Sequence, residues 1–109
     1  MTTVFDLLSR IHNNPGLYLG YPSVSNLFML LHGYEIARSE LGVALTAEET
    51  RFFEEFQPWL QRKLGVKSVT SWAKLIMLSC HDEKTGFSLF FELLEQFQQE
   101  EAPLGQVGA

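Results

Sequence analysis

Apolar residues recur along this chain at intervals of three and four, and a capping type of side chain stands ahead of most runs. Val4, Leu7, Leu8 and Ile11 follow Thr3, with Asp6 three positions beyond it, which predicts a short capped helix ending near Asn13. Asn14-Pro15-Gly16 then forces a turn, because proline disfavours helical angles in its predecessor, and Leu17 to Pro22 reads as a compact linker. Ser23 caps a second and longest helix through Leu27, Leu31, Tyr34, Ala37 and Leu41, with Gly42 suited to a left-handed terminus. Thr46 and Glu49 form a capping-box pair for a third helix with Phe52, Phe56, Trp59, Leu60 and Leu64 on its apolar face and Gly65 after its end. Pro58 falls inside that helix, where a lost hydrogen bond and a steric clash cost about 3 kcal/mol, so a kink or a break is predicted near Gln57.

Ser68, Val69, Thr70 and Ser71 precede Trp72, Leu75, Ile76 and Ser79, a fourth helix whose start is open among three hydroxyls. His81 to Gly86 reads as a polar connection to a last helix with Phe87, Phe90, Phe91, Leu94 and Phe97 toward the core, and Glu92, Glu95, Glu100 and Glu101 off that face. The best strand candidate, Val66 to Thr70, is short and without a pairing partner. The reading is therefore an all-α, single-domain bundle of about five helices over residues 1–102, followed by a flexible tail, 103–109.

Composition narrows the function classes. The 109 residues suit one hydrophobic core, and 46% hydrophobic residues with nine Phe supply it. Only 19% of residues are charged, which predicts some apolar surface left for a partner. A net charge of -5 has the wrong sign for holding a phosphate backbone, so direct nucleic-acid binding is not expected. Cys80 is the single cysteine, which excludes an internal disulfide and a thiolate metal cage and suits a reducing cytoplasm. The amino-terminal residues lack the pattern of an export signal, and no run reaches the roughly 20 apolar residues of a membrane helix.

Candidate chemistry is sparse. His12, His32 and His81 show neither His-x-x-x-His nor Glu-x-x-His spacing, so no metal site is expected, and no cofactor is implied. Ser79, Cys80, His81 and Asp82 bring nucleophile and base types together, but neighbours on a helix diverge, so no enzyme is expected there. Gly33 inside the longest helix costs about 1 kcal/mol against Ala, which predicts another part of the fold close to its backbone. Tyr18 and Tyr21 are either binding anchors or a lid over the core. Glu54-Glu55 and the acids of the last helix form a negative surface if their helices are neighbours, one able to steer a basic partner.

The segment Asn14-Pro15-Gly16-Leu17-Tyr18-Leu19-Gly20 resembles a string near the start of type II topoisomerase ATPase domains, but the chain has no Asp-x-Gly-x-Gly and no glycine-rich phosphate lid, so ATP binding is not expected. A wider pattern joins Pro15 to Gly20, Ser23 to Leu27, Gly33-Tyr34 with Ala37, Phe53 to Trp59, Ser71-Trp72, and Phe90 to Leu94. From about Ile11 to Phe97 it resembles small bacterial immunity-like proteins encoded beside polymorphic or contact-dependent growth-inhibition toxins, with Asn14 in place of a basic residue. That resemblance implies a cytoplasmic antitoxin that binds one cognate toxin domain. A compact acidic helical protein can do so by occluding an active site, and a nuclease toxin would offer the cationic cleft that suits its carboxylates. The partner-binding candidates are Tyr18, Tyr21, Glu54, Glu55, Asp82, Glu83, Glu92 and Glu95. The alternative is a non-catalytic adaptor that self-associates, a homodimer burying Tyr18 and Tyr21 where the immunity protein would be a monomer; a small enzyme on Cys80 and His81 ranks third.

Overall fold

The computed structural model describes residues 2–67 and 70–107, with side chains described as far as residue 100. Among them are six helices and no strand: α1 (Val4–Asn13), α2 (Pro15–Leu19), α3 (Val24–Glu40), α4 (Ala47–Leu64), α5 (Trp72–Met77) and α6 (Glu83–Val107). The all-α reading holds, with one helix more than expected.

The additional helix is α2, in the segment read as turn and linker. Proline at its first position has no need of an N–H there and is already set at a helical φ, so it starts a turn of helix as readily as it ends one. Gly20, at φ 85°, stops α2, and its N–H donates to Gly16 O (3.1 Å). The polar connection is shorter than predicted for a related reason. Asp82 accepts from Thr85 N (2.7 Å) and so caps α6, which starts at Glu83 rather than at Phe87.

The predicted caps of the longer helices are present. Thr3 and Asp6 close a capping box on α1, Ser23 accepts from Asn26 N on α3, and Thr46 with Glu49 closes a second box on α4. Ser71 settles the open start of α5 by accepting from Lys74 N (3.2 Å), while Ser68 and Val69 lie outside the described residues. The predicted tail, 103–109, falls partly on α6, whose bounds run to Val107, and partly outside the described residues.

One expectation about α3 needs correction, and of the kink or break predicted near Gln57 the break does not occur. α4 runs as one helix through Pro58. The carbonyl that Pro58 cannot bond belongs to Glu54, both residues are exposed, and water can serve that oxygen. Meanwhile Phe56, Trp59 and Leu60 on either side are buried and hold the helix to the core. Gly33 has nothing within 4 Å of where a Cβ would stand, so no other described element meets that position. The close approach is at Gly86 in α6, where an added Cβ would lie 2.8 Å from Val24 Cγ1 and 3.0 Å from Met77 Sδ.

α6 packs against α3, α4 and α5, α5 also touches α3 and α4, and α1 and α2 lie together with α2 against α3. Phe56 is the hub of an aromatic core, its ring 5.3 to 5.8 Å from those of Phe52, Trp59, Trp72, Phe90 and Phe97. Most of these contacts are edge-on, the arrangement the ring quadrupole favours.

A buried ion pair anchors one end of the bundle. Glu49 is fully buried, and its carboxylate accepts from Arg38 Nη1 (2.7 Å) and Nη2 (3.2 Å), from Thr46 N (2.9 Å) and from Val4 N (2.7 Å). One side chain thus completes the start of α4, caps α1 and neutralises a guanidinium from α3. Arg38 reaches on to Tyr34 Oη (2.7 Å) and to the carbonyl of Ala44, which pins the α3–α4 connection. Burial works against the charge on Glu49, but the donors outweigh it and hold its pKa below the ordinary value; the hydrogen bond to Glu49 raises that of Arg38.

Candidate functional site

α1 and α6 meet through few residues, and a groove of about 530 Å³ runs between them. Its apolar floor is formed by Phe5 and Leu8 of α1 with Phe91 and Leu94 of α6. The α1 side adds Ser9 and His12, and the α6 side adds Ser88, Glu92, Glu95 and Gln98. This division follows from the sequence of α6. Phe87, Phe90, Leu94 and Phe97 recur on the stripe that turns inward, so Glu92 and Glu95 stand about a quarter turn or more away, on the flank that borders α1.

The His12 ring lies parallel to Phe91, centroids 3.9 Å apart at 5°, and edge-on to Phe87 at 6.2 Å. This stacking bridges α1 to α6 at one end of the groove. Glu92 and Glu95 are exposed, one helical turn apart, and His12 is the only basic type of side chain among the lining residues. The only described hydrogen bond to either acid is a long one, Gln99 Nε2 to Glu95 Oε1 (3.4 Å). An apolar floor beneath two carboxylates without a counter-charge suits a segment that is apolar on one side and cationic on the other.

The other sequence candidates lie elsewhere. Glu54 and Glu55 are exposed on α4 but contribute nothing to the lining of the groove, so the structure does not bring the two sets of acids together there. Asp82 serves as the cap of α6, and the hydrogen bond from Thr85 N lowers its pKa. Glu83 is half-buried and turned inward. It accepts from Ser23 Oγ (2.9 Å), Ser25 N (2.8 Å) and Ser25 Oγ (2.8 Å), binding the start of α6 to the start of α3. Burial opposes its charge, and these donors more than compensate, so its pKa is also lowered. Tyr18 is half-buried against the core, as a lid would be, whereas Tyr21 is 51% exposed and Leu17 72%.

Cys80 is half-buried, and burial together with the nearby Asp82 charge pushes its thiol pKa up. That keeps it as the thiol, the poorly nucleophilic form. Among the described residues, no three His, Cys, Asp or Glu side chains converge as metal ligands, and no helix is long and apolar enough to cross a membrane.

The Arg38–Glu49 pair went unnoticed in the sequence, yet a signal was present. Arg38 follows Leu27 and Leu31 on the inward stripe of α3, Glu49 precedes Phe52 and Phe56 on that of α4, and Glu83 precedes Phe87 and Phe90 on that of α6. A charge in phase with the core positions of its own helix must be partnered.

No family model, curated protein or solved structure matches this chain.

Proposed function

We propose that this protein is an antitoxin-like immunity protein, which binds a cognate bacterial toxin domain and neutralises it by covering its active site. The observation that supports the reading is the groove between α1 and α6, an apolar floor flanked by Glu92 and Glu95 with no Lys or Arg among the described lining residues. A basic surface, such as the substrate cleft of a nuclease, complements it in both charge and apolar content. Its neighbours' potential would steer the encounter and so act chiefly on the association rate.

The test is binding to the toxin domain encoded beside it, followed by co-expression rescue of cells from that toxin. Exchanging Glu92 and Glu95 for Gln is expected to slow association roughly tenfold at low ionic strength and to flatten its dependence on salt. Glu54→Gln with Glu55→Gln, outside the groove, has a smaller effect. Unchanged kinetics in the groove variant would remove the acidic groove from the mechanism, and failure of rescue would remove the immunity reading.

A second reading, a self-associating adaptor, is favoured by a different observation. Met29 and Ile36 on the outer face of α3 are 65% and 49% exposed, with Leu41 at 77% just beyond its end. A helix apolar on its outer as well as its inner face is unusual at a free surface. Light scattering over a range of concentrations separates the two: a dimer dispersed by Met29→Glu supports the adaptor, and a monomer throughout refutes it.

A further inference from the structure

A second cavity, sharing no lining residue with the α1–α6 groove, lies where α3, α4 and α5 meet and holds about 120 Å³. Its aromatic lining comes from all three helices: Phe28 on α3, Phe53 on α4 and Trp72 on α5. Phe28 and Trp72 meet edge-on at 5.1 Å and 77°, and the His32 ring lies nearly parallel to Phe28 at 6.1 Å. Leu31 and Phe52 add apolar surface, and the polar side chains of the lining are His32, Glu35 and Gln57. Gln57 is held in place by its Nε2, which donates to Thr70 O (2.6 Å), and its amide oxygen has no described partner.

Glu35 is the exceptional member. It is half-buried, yet it makes no hydrogen bond or ion pair with any described residue. Arg38, one turn further along α3, is committed to Glu49. A carboxylate beside aromatic walls has lost part of its hydration without gaining a donor. The chemistry that answers this is a cation able to lie against rings while it hydrogen-bonds to an acid.

We propose that this cavity is a binding site for a guanidinium group, received among Phe28, Phe53 and Trp72 and paired with the Glu35 carboxylate. The volume corresponds to about four water molecules at about 30 Å³ each, enough for a small planar head group and too little for a drug-sized ligand. An anion would meet Glu35 and the net charge of -5, and an apolar molecule would bury the carboxylate unpaired. A primary ammonium is strongly hydrated and directs three donors into a site with few acceptors. A guanidinium is more weakly hydrated, stacks on aromatic faces and offers a carboxylate two parallel N–H groups. The same group is carried by a free arginine-like molecule and by an arginine side chain of a partner protein. The proposal holds for either source and does not rest on the immunity reading.

The experiment titrates the full chain with methylguanidinium and, separately, with methylammonium at matched ionic strength, following the Trp72 indole N–H resonance. Methylguanidinium is expected to bind several times more tightly, and Glu35→Gln, a change on a side chain without a described partner, to weaken it roughly tenfold. Retained folding of that variant is read from the rest of the same spectrum. Equal responses to the two cations, or an undiminished response in Glu35→Gln, would overturn the proposal. Blocked arginine and an arginine-containing peptide then identify the source: a tighter peptide assigns the site to a protein partner, and equal affinities assign it to a free small molecule.

Discussion

Glu49 concentrates more structural duty than any other side chain described. It joins three helices through four hydrogen bonds, and every one of them uses the ionised carboxylate. Its folded pKa lies below the ordinary value of 4.5, as does that of Glu83. The stability that the two contribute is therefore fully present above about pH 4.5 and is lost as pH falls through their folded values. Glu49→Gln leaves the buried Arg38 charge without its counter-charge and is expected to lower Tm by several degrees at pH 7. The gap between the two proteins should close in acid, where the parent's own carboxylate is protonated. Thermal denaturation across pH checks this, and a gap that stays constant would mean that the ion pair is not its source.

The helices differ in how much room they leave each other, and two glycines display the difference. Gly33 faces open space in the middle of α3, so Gly33→Ala is expected to stabilise the chain by about 0.4–1 kcal/mol through backbone entropy. Gly86 lies where α6 crosses the start of α3 and the end of α5. A methyl group there meets the buried, β-branched Val24 at 2.8 Å, and overpacking at about 1–3 kcal/mol outweighs a propensity gain of up to about 1 kcal/mol. The same substitution should thus raise Tm in one helix and lower it in another. Two shifts of the same sign would contradict the packing described for α6.

Across the whole molecule, cohesion depends on an aromatic core drawn from three helices. Phe56 touches rings of α4, α5 and α6, so its removal opens a cavity that no single helix can close. Phe56→Ala is expected to cost about 3–5 kcal/mol. Domains of this size have a stability of about 5–15 kcal/mol in all. Denaturant unfolding should show the midpoint reduced by a large fraction, or no cooperative transition at all. A midpoint close to that of the parent would show that the core collapses around the missing ring.

The caps at Thr3, Ser23 and Thr46 and the inward stripes of α1, α4 and α6 were legible in the sequence because they are local: a hydroxyl meets an N–H three residues on, and a helical repeat selects one face; the cap at Ser71 was legible only as one of three hydroxyls. The acids of the candidate groove were legible as acids off the core stripe, but their placement was not. Glu92 and Glu95 border a groove because α1 lies beside that flank of α6, whereas Glu54 and Glu55, similar in sequence, border none. Pro15 began a helix, Glu83 turned inward to α3, and Gly33 was left open while Gly86 was covered. Each of these outcomes depends on which surface of another helix arrives at that point. Periodicity along the chain determined the helices and their apolar faces; packing between residues distant in sequence decided which charges became pairs, which rings became walls and which carboxylates were left facing a cleft.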